Sequence, residues 1–184
     1  YLGSLVKNHG PCKIRPSQKK DYFLDLVYAI VSHQLSGKAS STIFGRVKAG
    51  LNGEVVPEKI LSTPDSKFRG WGLSRQKTSY LKDLAKKVKG GDIKIKKLDR
   101  LPDEEVMKEL VAVKGIGRWT AEMFLMFTLA RPDVFPVNDL GIQKGINRLL
   151  KKEVSSQKMA KFAERWKPYR TPASWYVWKI VDNK

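Results

Sequence analysis

Apolar residues recur at three- and four-residue spacing along almost the whole chain, and glycines mark the breaks between the periodic stretches. Phe23, Leu24, Leu26, Val27, Ile30 and Val31 line one broad helical face. Gly37 interrupts that pattern, and Ala39, Ile43 and Val47 resume it. Ser74 is placed to cap a long basic helix whose apolar face is Tyr80, Leu81, Leu84, Ala85 and Val88, and Gly90-Gly91 stops it. Pro57, the run Ser62-Thr63-Pro64-Asp65 and the acidic turn Pro102-Asp103-Glu104-Glu105 are further helix starts. The periodicity predicts later helices over 117–129, 140–150, 155–166 and 172–181. The one alternating stretch, Ile93-Lys94-Ile95, is too short to make a strand. The fold class is therefore all-α. With 184 residues, 41% of them hydrophobic, the chain has the material for one packed domain. We expect residues 1–184 to form a single domain of two helical lobes, one central (35–135) and one terminal (1–34 with 136–184). A cleft between such lobes is the expected ligand site.

Lysine and arginine number 36 against 18 acidic residues, a net charge of +18. That imbalance points to a polyanionic partner, nucleic acid above all. No apolar run approaches the ~20 residues of a membrane span. Cys12 is the only cysteine, which excludes an intramolecular disulfide and a cysteine-ligated iron–sulfur cluster. His9 and His33 are the only histidines, too few for a zinc site with that thiol. Cys12 reads as an inert thiol. No signal-peptide pattern opens the chain, and a first residue of Tyr1 suggests a trimmed start.

Within this pattern, residues 110–121 read as helix, Gly115-Ile116-Gly117 turn, helix. Glycine suits a turn with positive or crowded backbone angles, and the helix that follows opens with unpaired N–H groups and a positive dipole end. Such a turn holds a phosphate through backbone amides, with Lys114, Arg118 and Thr120 flanking it. It would position DNA without reading its bases. An ordinary helical hairpin with a glycine cap has the same local pattern. Asp133-Val134-Phe135-Pro136-Val137-Asn138-Asp139 follows, ending in a carboxylate at the next helix start. By residue type alone Asp139 reads equally as an N-cap. In so basic a chain, an amide clamp followed by one fixed carboxylate suggests chemistry on nucleic acid.

Residues 110–121 followed by Pro136-Val137-Asn138-Asp139 resemble the signature of the helix-hairpin-helix DNA glycosylase superfamily. More narrowly, Gly115-Ile116-Gly117-Arg118-Trp119-Thr120-Ala121 is similar to the 3-methyladenine DNA glycosylase II branch. Ser32-His33-Gln34-Leu35-Ser36-Gly37-Lys38-Ala39 resembles that branch's segment opposite the damaged base. Gly70-Trp71-Gly72-Leu73-Ser74-Arg75-Gln76-Lys77 resembles its glycine turn before a basic helix, and Trp166-Lys167-Pro168-Tyr169-Arg170 its aromatic C-terminal motif. The matches run over about residues 31–178.

The resemblance implies a base-excision enzyme that flips a damaged base out of duplex DNA and cuts its N-glycosidic bond. It makes Asp139 the catalytic carboxylate, stabilising an oxocarbenium-like transition state or aligning water. It puts Trp119, Tyr169 and Met123 in the base pocket, where aromatic rings favour a cationic alkylated purine. The other reading of these three is core packing. Gln34 and Leu35 fall at the intercalating wedge, and Ser36 and Lys38 beside them, with Ser40 and Ser41, suit phosphate contacts. His33 receives no role. In bifunctional relatives a lysine follows the hairpin's Gly-x-Gly by two positions; here that residue is Trp119, so attack by water and a product left as an uncut abasic site are implied. The resemblance also implies a hairpin site for Na+ or K+ on the backbone carbonyls of Val111, Val113 and Ile116, with no other cofactor. Double-stranded DNA carrying alkylated bases is the implied partner of a monomer. A prokaryotic cytoplasm or a eukaryotic nucleus is the implied compartment. Two alternatives remain open at this point. One is a non-catalytic helix-hairpin-helix DNA-binding module, and the other is a glycosylase for oxidised or mismatched bases.

Overall fold

The computed structural model describes residues 2–17 and 20–182, and among them it is helical with no strand. In chain order the helices are α1 (Leu2–His9), α2 (Tyr22–Ser32), α3 (Gly37–Gly50), α4 (Pro57–Ser62), α5 (Asp65–Gly70) and α6 (Arg75–Gly90). They continue with α7 (Asp103–Val111), α8 (Arg118–Met123), α9 (Leu140–Leu150), α10 (Ser156–Ala163) and α11 (Arg170–Asp182). Short 3-10 turns cover Ile95–Arg100 and Glu164–Trp166, so the Ile93–Ile95 alternation leads into a tight turn.

The helix starts follow the capping chemistry of the sequence. Asp21 accepts from the Leu24 N–H, Ser36 from Ala39, Ser74 from Lys77 and Ser155 from Lys158. Gly91, at φ +83°, closes α6 in the left-handed conformation that glycine enters without strain.

The chain divides into two compact units, Tyr1–Ser17 with Glu122–Lys184, and Gln18–Ala121. The lobe limits expected from sequence were 35–135 and 1–34 with 136–184; the division instead falls at 17/18 and 121/122. The reason for the first difference is packing. The apolar face of α2, with Leu26, Val27, Ile30 and Val31 fully buried, lies against α3 and α6. The second boundary falls inside α8.

In the Gln18–Ala121 unit, α4 and α5 pack on α6, and Ile60, Phe68, Leu81 and Leu84 are fully buried. In the other unit, α9 and α1 pack on α11, around a core of Ile142, Ile146, Met159 and Val177. The helix predicted over 117–129 is not uniform. After α8 the backbone widens into a π-helical turn, Phe124–Thr128, in which the Leu129 N–H reaches the Phe124 carbonyl. This keeps Phe124, Leu125 and Met126 buried while Phe127 emerges.

Candidate active site and nucleic-acid interface

Asp139 sits where a pinned loop meets a helix. Arg170, at the start of α11, donates from Nε to Asp133 Oδ1 at 2.7 Å and from Nη2 to Oδ2 at 3.0 Å. The Thr171 hydroxyl accepts from the Val134 N–H at 3.0 Å, and the Thr171 N–H donates to the Pro132 carbonyl at 2.9 Å. Hydrogen bonding to Arg170 holds the Asp133 carboxyl below its ordinary range, against the opposing effect of burial. The Gln143 amide fastens the far end of the loop by donating to the Val137 carbonyl at 3.0 Å.

Asp139 then caps α9. Its Oδ1 accepts from the Ile142 N–H at 2.8 Å and from the Trp178 indole N–H at 2.7 Å. The second donor arrives from α11, and it comes this close because residue 141 is glycine. A Cβ on Gly141 would lie 2.7 Å from the Trp178 ring and 3.0 Å from Asp139 Oδ1. Phe127, exposed after the π turn, stacks on Trp178 with centroids 5.8 Å apart and planes at 28°. The carboxylate is thus both a helix cap and an oriented, half-buried acceptor. Sequence alone does not single out Trp178. The only signal for it was chemical, since a partly buried indole N–H needs an acceptor.

The expected clamp is a true hairpin. It runs from α7 through residues 112–117 into α8, with the Val113 N–H on the Leu110 carbonyl and the Ile116 N–H on the Val113 carbonyl. Gly115 has φ +82°, and a Cβ there would stand 2.0 Å from the Tyr80 ring of α6. The Lys114 N–H is taken by Asp83 of α6 at 2.8 Å, so this amide is committed to holding the hairpin in place. Gly117 corrects the expectation that both glycines serve the turn. Its φ is not positive, it is exposed, and a Cβ there would meet nothing within 4 Å. Lys114 and Arg118 are exposed beside it. Thr120 corrects another expectation. It is 7% exposed and its hydroxyl faces His33 Nε2 at 3.1 Å, which does not fit a side-chain contact to a phosphate.

The expected wedge forms the turn between α2 and α3. Gln34, at φ +56°, and Leu35 are exposed. Ser36 caps α3 as an acceptor and keeps its exposed O–H to donate, whereas the hydroxyls of Ser40 and Ser41 bond back to helix carbonyls, so Ser36 and Lys38 are the exposed groups left for a phosphate. The turn is held from two sides. Lys77 Nζ donates to the Val31 and His33 carbonyls at 2.7 Å each, and His33 meets Thr120 of α8. Burial lowers the Lys77 pKa; burial, then the Lys77 charge, lowers that of His33. His33 and Lys77, assigned no site role from sequence, therefore join the wedge turn to the hairpin within one unit.

Trp119 and Tyr169 are 47% and 64% exposed, which rules out core packing for both, whereas Met123 is half-buried. Trp119 and Met123 stand four residues apart on α8 and share a face. A groove of about 890 Å³ with Tyr22, Val55 and Lys94 in its wall includes none of the expected site residues. It lies at the start of α2 and the end of α6, away from the wedge turn. Among the described residues no cluster of histidine, cysteine and acidic side chains suits a metal ion, and no helix is long and apolar enough to cross a membrane.

The chain is similar over most of its length to known proteins. The DNA-3-methyladenine glycosylase 1 of Schizosaccharomyces pombe is 39% identical over 183 residues, covering 97% of this chain and 79% of that protein. The crystal structure of a DNA-3-methyladenine glycosidase from Bacillus halodurans superposes with a TM-score of 0.89 at 34% identity, covering 99% of this chain and 84% of that one. A 3-methyladenine DNA glycosylase of S. pombe, solved in complex with abasic DNA, matches with a TM-score of 0.81 at 38% identity, covering 96% and 88% of the two chains. The family model for HhH-GPD superfamily base excision DNA repair proteins matches residues 27–170, so the chain belongs to that superfamily.

Proposed function

We propose that this protein is a monofunctional DNA glycosylase of base excision repair. It hydrolyses the N-glycosidic bond of alkylated purines, of the 3-methyladenine and 7-methylguanine type, after flipping the base from double-stranded DNA. The observation that carries this reading is the Asp139 carboxylate, fixed by Ile142 and Trp178, in a chain with Trp119 where bifunctional relatives have a lysine. The names of its relatives agree with that substrate class.

In this reading the C1′–N bond breaks with its electron pair leaving on the base. Asp139 stabilises the positive charge that builds on the sugar. Water adds at C1′ and loses a proton, leaving an abasic site. An alkylated purine is cationic and departs without strong acid assistance. Trp119 and Tyr169, with Met123, are the residues assigned to recognition of that cation, at about 0.5–2 kcal/mol per ring–cation contact. Gln34 and Leu35 fill the gap left by the flipped base. The hairpin amides around Gly117, with Lys114, Arg118 and Lys38, hold the backbone. The open space where a Cβ on Gly117 would sit supports close approach by a phosphate.

The carbonyls of Val111, Val113 and Ile116 suit a hard monovalent cation, Na+ or K+. Val113's oxygen accepts one N–H, from Ile116, and has a second lone pair to give. When bound, the ion would add positive charge beside the phosphate. No other cofactor enters this reading. The protein acts as a monomer in the compartment that holds the genome.

The test is to incubate the protein with methylated duplex DNA and identify the released bases. Release of methylated purines, with strand breaks only after alkali, is the expected result. Tight binding without release would establish a DNA-binding module instead, and release confined to oxidised or mismatched bases would change the substrate class.

A further inference from the structure

We propose that Lys77 is a positioning residue for the DNA wedge. Its ammonium group holds the Gln34-Leu35 turn in its protruding shape, so that opening the duplex depends on it and bond cleavage does not. The inference rests on the wedge role given above to Gln34 and Leu35.

A helix ends with carbonyls that no longer have intrahelical partners. Helices commonly resolve this with a left-handed glycine, which supplies the turn and satisfies the carbonyls together. At the end of α2 there is no glycine. His33 is the cap residue, and Gln34 enters the left-handed region at φ +56°, a conformation that disfavours an L side chain. Something else must hold the turn. Lys77 reaches across from the first turns of α6 and donates to two carbonyls at that end, Val31 and His33, at 2.7 Å each. A cation at a helix C-terminus also meets the negative end of the helix dipole. His33, placed between those contacts, is tied in turn to the buried Thr120 hydroxyl of α8 at 3.1 Å.

Lysine side chains are ordinarily exposed to solvent. Lys77 is different. It is partly buried, and two of its three N–H groups are spent on the chain's own backbone. Its end of α6 is itself fixed, because Ser74 caps that helix by accepting from the Lys77 N–H at 3.1 Å. The residue that anchors the start of α6 therefore also anchors the wedge. The left-handed Gln34 is kept by interactions from two other helices and not by its own preference.

The experiment compares two duplexes carrying the same methylated purine, one fully paired and one with the lesion opposite an abasic site, where no partner has to be displaced. Single-turnover base release is measured for the unaltered protein, Lys77→Met, Lys77→Arg, Gln34→Ala and the Lys77→Met/Gln34→Ala pair. We expect Lys77→Met to slow release from the paired duplex about tenfold, or about 1.4 kcal/mol, and release from the unpaired lesion less than about threefold. Lys77→Arg should restore most of the loss. The double variant should lose little more than the larger single loss, since both changes disable one device. If Lys77→Met fails to fold, Lys77→Gln, which removes the positive charge and shortens the reach while keeping an amide NH2, is read the same way. Equal losses on both duplexes, or no loss on either, would overturn the proposal. If Gln34→Ala and a Leu35→Ala variant also leave the paired-to-unpaired ratio unchanged, the wedge assignment itself is wrong. If they shift it and Lys77→Met does not, only the role of Lys77 is wrong.

Discussion

Replacing Trp178 by phenylalanine keeps a ring against Phe127 and removes the N–H that reaches Asp139. A hydrogen bond to a charged acceptor contributes about 1.5–3 kcal/mol, so Trp178→Phe should slow single-turnover base release by about 10- to 100-fold while DNA affinity in a filter-binding titration stays near normal. Gly141→Ala attacks the same contact from the other side, because its methyl group would overlap the indole. It should reduce release at least as much and lower thermal stability by about 1–3 kcal/mol. That Asp139 caps a helix was legible in the sequence, because a Val137-Asn138 run leads it into a helix start. Trp178 was not, because its partner lies 39 residues away and no periodicity encodes a contact between two helices. His33, Thr120 and Lys77 are hidden for the same reason. Their partners are backbone carbonyls or one another, in elements 44 to 87 residues apart.

The helices themselves were readable, since caps and apolar spacing are local properties. What escaped was where a helix changes its pitch. The stretch 117–129 has the apolar content of one continuous helix, yet the π turn at Phe124–Thr128 lets three consecutive side chains stay buried and sends Phe127 toward Trp178. The two hairpin glycines look alike in sequence and differ in the structure. Gly115→Ala meets both a positive φ and the Tyr80 ring, and should destabilise the fold by about 1–3 kcal/mol in a denaturant titration. Gly117→Ala should leave stability within about 0.5 kcal/mol and weaken DNA binding instead. Equal effects of the two on stability would show that the turn needs both. The loop before Asp139 has a pH signature. Asp133 has its carboxyl held below the ordinary 3.8 by Arg170. Unfolded chains therefore take up that proton first as pH falls, and the stabilisation, complete above about 4, disappears through the lowered value. In acid unfolding monitored by circular dichroism, Arg170→Met should be less stable than the unaltered protein at neutral pH, with the difference shrinking below pH ~4.

A net charge of +18 on 184 residues matters to the molecule as a whole more than to any one contact. If the basic surface engages about 6–10 phosphates, affinity for duplex DNA should fall by about 10³–10⁵ between roughly 50 and 200 mM salt. The slope of that plot should be shallower for Lys38→Ala and unchanged for Lys77→Met, whose ammonium group is turned onto the backbone. Charge composition alone gave the polyanion, and the hairpin motif gave its kind, but neither separates a clamp from an enzyme. That distinction rests on one carboxylate. The measurement that bears on it most directly is single-turnover base release from methylated duplex DNA by Asp139→Asn, beside its affinity for the same DNA. Loss of about 10²–10³ in rate, with affinity within a few-fold of the unaltered protein, is the expected result. Near-normal release by Asp139→Asn would contradict it.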